Sequence, residues 1–136
     1  VDNSAIKSLS TNLTKDSNSD LDKATTIYNW VQNNIDYSFY FNTENGAAKT
    51  LSSKSGNCVD QSHLLIALFR ASDLPARYVN GQATFTSGGT IGHTWAEVYV
   101  DGEWVIVDTT SNYNKLGSVT NWNNPKIYDT HAEITF

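Results

Sequence analysis

The chain has 136 residues and a formal net charge of −5, with 14 acidic side chains against 9 Lys and Arg. That length supports one domain with one core, and the acidic balance argues against nucleic acid and anionic membrane as partners, since both need a basic face. No apolar run approaches the roughly 20 residues of a membrane span, and a single cysteine excludes an intrachain disulfide.

The polar start at Val1, without Met, shows no secretory leader and reads as one domain of a longer protein. Ile6, Leu9 and Leu13 fall at helical spacing, which predicts a short amphipathic helix over 3–13. A polar loop follows, and Asp20 is a candidate N-cap. Leu21, Ala24, Ile27, Tyr28, Val31 and Ile35 then form one apolar stripe of a second helix, ending near Asn34. Residues 37–41 are a short aromatic segment, and 42–57 read as loops with one turn of helix around Ala47 and Ala48. From Cys58 to Ser72 the chain is apolar on most sides with no breaker, which predicts a central helix stopped by Leu74-Pro75. Strands are predicted over 77–85, 92–100 and 103–109, with a last one over 131–136. Helices first and a strand meander second make this an α+β fold with an antiparallel sheet.

Asp101-Gly102 between two β-rich runs is a strong hairpin signal. A two-residue loop pairs Val100 with Glu103, Tyr99 with Trp104, Glu97 with Ile106 and Trp95 with Asp108. Alternation then puts His93 and Asp108 on the same face as diagonal neighbours, within side-chain reach. An Asp beside a His can accept its N–H, fix the tautomer and steady the imidazolium; the same pair can also be a plain structural hydrogen bond. Trp95 is placed to shield the pair from water, or to be ordinary core.

Gly56-Asn57-Cys58 precedes the apolar helix, so Cys58 falls in its first turn. Unpaired amides and the positive dipole end favour an anion there and can hold an oxyanion. Gly56 would let a substrate backbone pass the sulfur. The alternative is a buried, inert thiol. Cys58, His63 and His93 are metal-ligand types, but no recognised ligand spacing joins them. His63 reads as core or interface and His131 as a surface residue.

The stretches Gly56-Asn57-Cys58-Val59-Asp60, Gly92-His93-Thr94-Trp95-Ala96-Glu97-Val98-Tyr99 and Trp104-Val105-Ile106-Val107-Asp108 resemble the transglutaminase-like superfamily. That likeness implies a papain-like core, with Cys58 on a helix start and His93 and Asp108 on neighbouring strands as a catalytic triad. Residues 56–68, with Ala76-Arg77-Tyr78-Val79 and Asp108-Thr109-Thr110-Ser111-Asn112, are most similar to archaeal pseudomurein endoisopeptidases. The resemblance runs from about Thr26 to the C-terminus. It implies hydrolysis of Ala-ε-Lys cross-links in an archaeal cell wall by a monomeric extracellular cysteine peptidase. It also implies an oxyanion donor upstream of the cysteine, with Tyr37 as first choice, and Tyr40 or a plain core role for Tyr37 as the competing readings. The chemistry needs no cofactor, although calcium dependence is reported for some members. Two other readings share these residues: transglutaminase-type acyl transfer to an amine, and a non-catalytic wall-binding or adhesin domain on the same scaffold.

Overall fold

A computed structural model describes residues 3–40 and 43–136, so Phe41 and Asn42 of the aromatic segment and the loop after it lie outside the described residues. Helix α1 (Ser4–Thr14) starts where the Asn3 side chain accepts the Ile6 N–H. Helix α2 (Asp20–Asn34) is capped by Ser19, one residue before the predicted Asp20, because the Ser19 hydroxyl accepts the Asp22 N–H at 3.1 Å. Ala24, Ile27, Tyr28, Val31 and Ile35 are buried as the stripe requires, but Leu21 in the first turn remains 47% exposed.

Strand β1 (Asp36–Tyr37) runs parallel to β2 (Ser55–Gly56), with α3 (Gly46–Ser53) between them. Helix α4 (Cys58–Ala71) follows directly, with ten consecutive buried residues from Asp60 to Phe69. Strands β3 (Ala76–Phe85), β4 (Gly89–Val100), β5 (Glu103–Val107) and β6 (Trp122–His131) form an antiparallel sheet in the order β5-β4-β3-β6. The main core lies between α4 and one sheet face, where Ala96, Val98, Val100 and Val107 meet Leu64, Leu65 and Leu68. A smaller cluster of Val79, Ala83, Trp95 and Trp122 covers the other face.

The hairpin register is the one expected: Val100 pairs with Glu103, Tyr99 with Trp104 and Glu97 with Ile106. The ladder ends at Ala96 and Val107, short of the predicted Thr109. Beyond it the Asp108 carbonyl turns away to accept the Tyr28 hydroxyl at 2.8 Å and the Asn114 side-chain N–H at 3.3 Å.

The last strand lies upstream of its predicted place, ending at His131 where it was expected to begin. Residues 132–136 are instead drawn to the start of α3, where the Ala47 and Ala48 N–H groups donate to the Thr135 and Phe136 carbonyls. Those amides lack partners inside their own helix, so the tail satisfies them in place of forming a ladder. Gly81 lets β6 approach, since a Cβ there would stand 2.3 Å from the Lys126 carbonyl oxygen.

Candidate active site

The two-residue β1–β2 ladder sets Tyr37 opposite Gly56, one step before the α4 cap. Asn57 is that cap, accepting the Asp60 N–H at 3.0 Å and leaving Cys58 as the first helical residue. Asp60 does more than favour the helix dipole. It is fully buried, and its carboxylate accepts the N–H groups of Asn45 and Gly46 and contacts the Tyr40 hydroxyl. The loop before α3 is thereby tied over the Cys58 turn. Gly56 is also explained by packing, because a Cβ would meet Thr50 Cγ2 at 3.0 Å and Asp60 Cβ at 3.2 Å. It faces the helices and not a passing substrate.

His93 Nε2 and Asp108 Oδ2 are 2.8 Å apart, and both residues are buried. The bond needs the proton on Nε2, which leaves Nδ1 for the Cys58 side. Two further side chains hold Asp108. Trp122 Nε1 donates to Oδ2 at 2.7 Å, and Thr110 donates to Oδ1 through its backbone N–H and its hydroxyl. The His93 ring is packed by Phe85, Trp95 and Trp122 at centroid distances of 5.1, 5.9 and 5.7 Å. Trp95 therefore shields the pair as its register position suggested.

Burial alone would push the His93 imidazole down, but the hydrogen bond to Asp108 and the interaction with Cys58 outweigh it and lift the group to about 9. Burial works against the Asp108 carboxylate in the same way. Its bonds to His93, Thr110 and Trp122 prevail and hold it below its ordinary value. The pair is thus built to stay charged in a dry place.

Gln61 joins the two halves of the site. Its Nε2 donates to the Gly56 carbonyl and its Oε1 accepts the Thr109 hydroxyl at 2.6 Å, so one buried amide spans from the residues before Cys58 to the residue after Asp108. In the sequence Gln61 reads as part of a helix start, and Trp122 as an exposed aromatic that could line a groove or be core; it is buried, and it holds Asp108 from behind the cleft.

Cys58, His93 and Tyr37 line one cleft of about 1040 Å³. Burial raises the Tyr37 hydroxyl, and so do the nearby charges of Cys58 and Asp108, which places the phenol in the field of the thiol. Tyr40 also lines the cleft, but its hydroxyl is committed to Asp60, to the Asn57 N–H at 3.2 Å and to the Asn45 side chain. Its place is to hold the loop. His63 is buried against Glu44, in keeping with a core reading, while His131 lies partly exposed at the surface and stacks on Tyr78 at 4.5 Å. Tyr128, exposed on β6, bonds Gln82 away from the cleft.

Among the described residues no group of three or more His, Cys, Asp or Glu side chains is placed to share a metal ion. Asp60, the nearest acid to Cys58 in the chain, has its oxygens taken by three donors. No helix among the described residues is long and apolar enough to cross a membrane.

Solved structures share this fold. A candidate cysteine protease from Cytophaga hutchinsonii is 26% identical, with a TM-score of 0.67 over 96% of this chain and 50% of that one. LapG of Legionella pneumophila, EGTA-treated, is 13% identical with a TM-score of 0.69 over 94% of this chain and 80% of its own, and its calcium-bound form is also similar at 0.57. A TGase structure is 23% identical with a TM-score of 0.57, over 81% of this chain and 32% of that one. The likeness to LapG and the TGase shows a shared fold alone. The chain spans half the length of the Cytophaga protein. A search of curated protein sequences finds no match. The family description "Transglutaminase-like superfamily" matches residues 7–109, which is most of the chain and takes in Cys58, His93 and Asp108. The chain belongs to the transglutaminase-like superfamily.

Proposed function

We propose that this chain is a cysteine peptidase that works through an acyl-enzyme on Cys58. The observation that carries the reading is the buried His93–Asp108 bond at 2.8 Å, with the same imidazole facing the one cysteine at a helix start. The likeness to the candidate cysteine protease of Cytophaga hutchinsonii supports the reaction class.

The Cys58 sulfur attacks the amide carbonyl carbon as a thiolate. The Cys58 backbone N–H and the Tyr37 hydroxyl donate to the oxyanion. As the tetrahedral intermediate collapses, the C–N bond breaks and His93 gives its proton to the departing amine, leaving a thioester on Cys58. His93 then takes a proton from water, which attacks the thioester and releases the acid, and the sulfur leaves as the thiolate, restoring the Cys58–His93 ion pair. Asp108 keeps the ring oriented and steadies its charge throughout.

The substrate we propose is the Ala-ε-Lys isopeptide cross-link of archaeal pseudomurein, which places the protein outside the cell at a wall, acting as a monomer. The support is the similarity of residues 56–68 to pseudomurein endoisopeptidases. No step runs through calcium, although the calcium-bound LapG makes it the cation to include in assays. Acyl transfer to an amine is the second reading, favoured by the fold shared with a TGase. A non-catalytic wall-binding module would be expected to lack a member of the triad, and here all three are present and grouped.

The test is incubation of pseudomurein, or of a short Ala-ε-Lys isopeptide, with wild type and Cys58→Ala, with and without calcium and an added amine. Release of a new amino group by wild type alone is expected. Cleavage by Cys58→Ala would end the proposal, and incorporation of the added amine in place of water would move it to acyl transfer.

A further inference from the structure

We propose that Glu44 reads charge in the cleft, so that the preferred substrate presents an ammonium or guanidinium group there and carboxylated substrates are rejected. This rests on the peptidase reading, and it specifies which peptides that cleft takes.

Among the described residues lining the cleft, Glu44 is the single carboxylate, and no Lys or Arg lines it. Residues 41 and 42, Phe and Asn, add no charge. Glu44 is also held in a particular way. Its Oε1 meets Nε2 of His63, whose side chain is 3% exposed, while 49% of the Glu44 side chain is open to solvent. The other nitrogen of His63, Nδ1, accepts the Thr135 backbone N–H at 3.3 Å. A nitrogen that accepts must carry a lone pair, so the ring proton sits on Nε2 and points at Glu44. His63 therefore orients the carboxylate, and about half of the Glu44 side chain stays open to solvent.

Tyr78 links this pair to the nucleophile. Its ring stacks on His63 at 5.2 Å, and its hydroxyl lies 3.3 Å from Thr94 beside His93. Burial raises the Tyr78 hydroxyl, the Thr94 bond lowers it, and the charges of Cys58 and Glu44 raise it further. One phenol feels both, so Glu44 and Cys58 share a stretch of the cleft. The remaining walls include Phe85 and Ile91, suited to the methylene stem of a lysine or arginine whose head stays polar.

The competing role for Glu44 is structural, a clamp that holds His63 and the C-terminal tail. Charge and shape can be separated. Blocked alanine–glycine hexapeptides carrying lysine, norleucine or glutamate at one position in turn are titrated calorimetrically into Cys58→Ala protein, which binds without turnover. We expect lysine to beat norleucine by roughly tenfold at one or more positions, and glutamate to bind worst, with the preference shrinking as salt rises. Glu44→Gln, which retains the acceptor for His63, should bring the lysine peptide down to the norleucine level. Glu44→Lys should favour glutamate. Equal binding of lysine and norleucine peptides, or binding of neither, overturns the inference, as does a Glu44→Gln protein that keeps the preference. Turnover is measured separately with wild type. Absence of cleavage alongside a Glu44-dependent preference would sink the peptidase reading and leave the charge-reading site standing.

Discussion

The two faces of the β3–β4 sheet do different work. The face toward α4 is aliphatic, with Ala96, Val98, Val100 and Val107 set against Leu64, Leu65 and Leu68. The opposite face is small and aromatic, with Trp95 and Trp122 at 4.8 Å packed around His93 and Asp108. The first face supplies burial, which is non-directional and scales with apolar area. The second buries fewer residues, two of them tryptophans, and forms a low-dielectric wall in which a hydrogen-bonded charge pair keeps its geometry. Stability and chemistry are therefore separable here, and substitutions on the two faces should fail in different ways.

Among substitutions on these two faces, the largest effect on chemistry is expected from Asp108→Asn. It keeps shape and most hydrogen bonds but disfavours the imidazolium, and it should lower kcat/KM by about 10²–10⁴-fold in a protein that still folds, as circular dichroism would verify. Leu68→Ala on the other face should behave oppositely. A cavity beneath the sheet should cost about 2–5 kcal/mol in denaturant unfolding, while the turnover of the folded fraction stays near wild type. A fall in the kcat of the folded fraction itself would blur the division between the faces.

Trp122→Phe sharpens the comparison further. It keeps the ring against His93 but removes the N–H that helps hold Asp108 ionised. The acid limb of the pH–rate profile should move to higher pH, with a stability cost of about 1–3 kcal/mol for the lost buried bond. An unmoved acid limb would reduce Trp122 to packing. The smallest effect concerns pH and stability. His93 is raised from an ordinary 6.5 to about 9, so its contribution is complete below 6.5 and fades as pH rises through 9. The difference in melting temperature between wild type and His93→Gln should accordingly shrink between pH 7 and pH 10.

The legible part of this molecule was what short-range pattern encodes. A two-residue turn and the period of two brought His93 and Asp108 together, and an apolar run after Asn57 put Cys58 at a helix start. Strand β6 was misplaced because it is an exposed edge strand. Its eight residues from Asn123 to Thr130 are all exposed, so no apolar alternation marks it, and Asn123-Asn124-Pro125 argues against a strand. The bonds that tie Trp122 and Gln61 to the site are illegible for a related reason. Each acts through one long-range bond, to Asp108 and Thr109 respectively, and nothing local announces it. The Glu44–His63 pair spans 19 residues and depends on the tail residue Thr135 for its tautomer. Such closures depend on the whole fold and carry no periodic signature.

The central claim is that Cys58 is activated by a His93 that Asp108 holds in place. As the chain's one cysteine, Cys58 can be followed without ambiguity by mass spectrometry during alkylation with iodoacetamide at pH 6, where an ordinary thiol is almost wholly protonated and slow. The account predicts rapid alkylation in wild type and at least about tenfold slower alkylation in His93→Gln. Equal, slow alkylation of both proteins would contradict it.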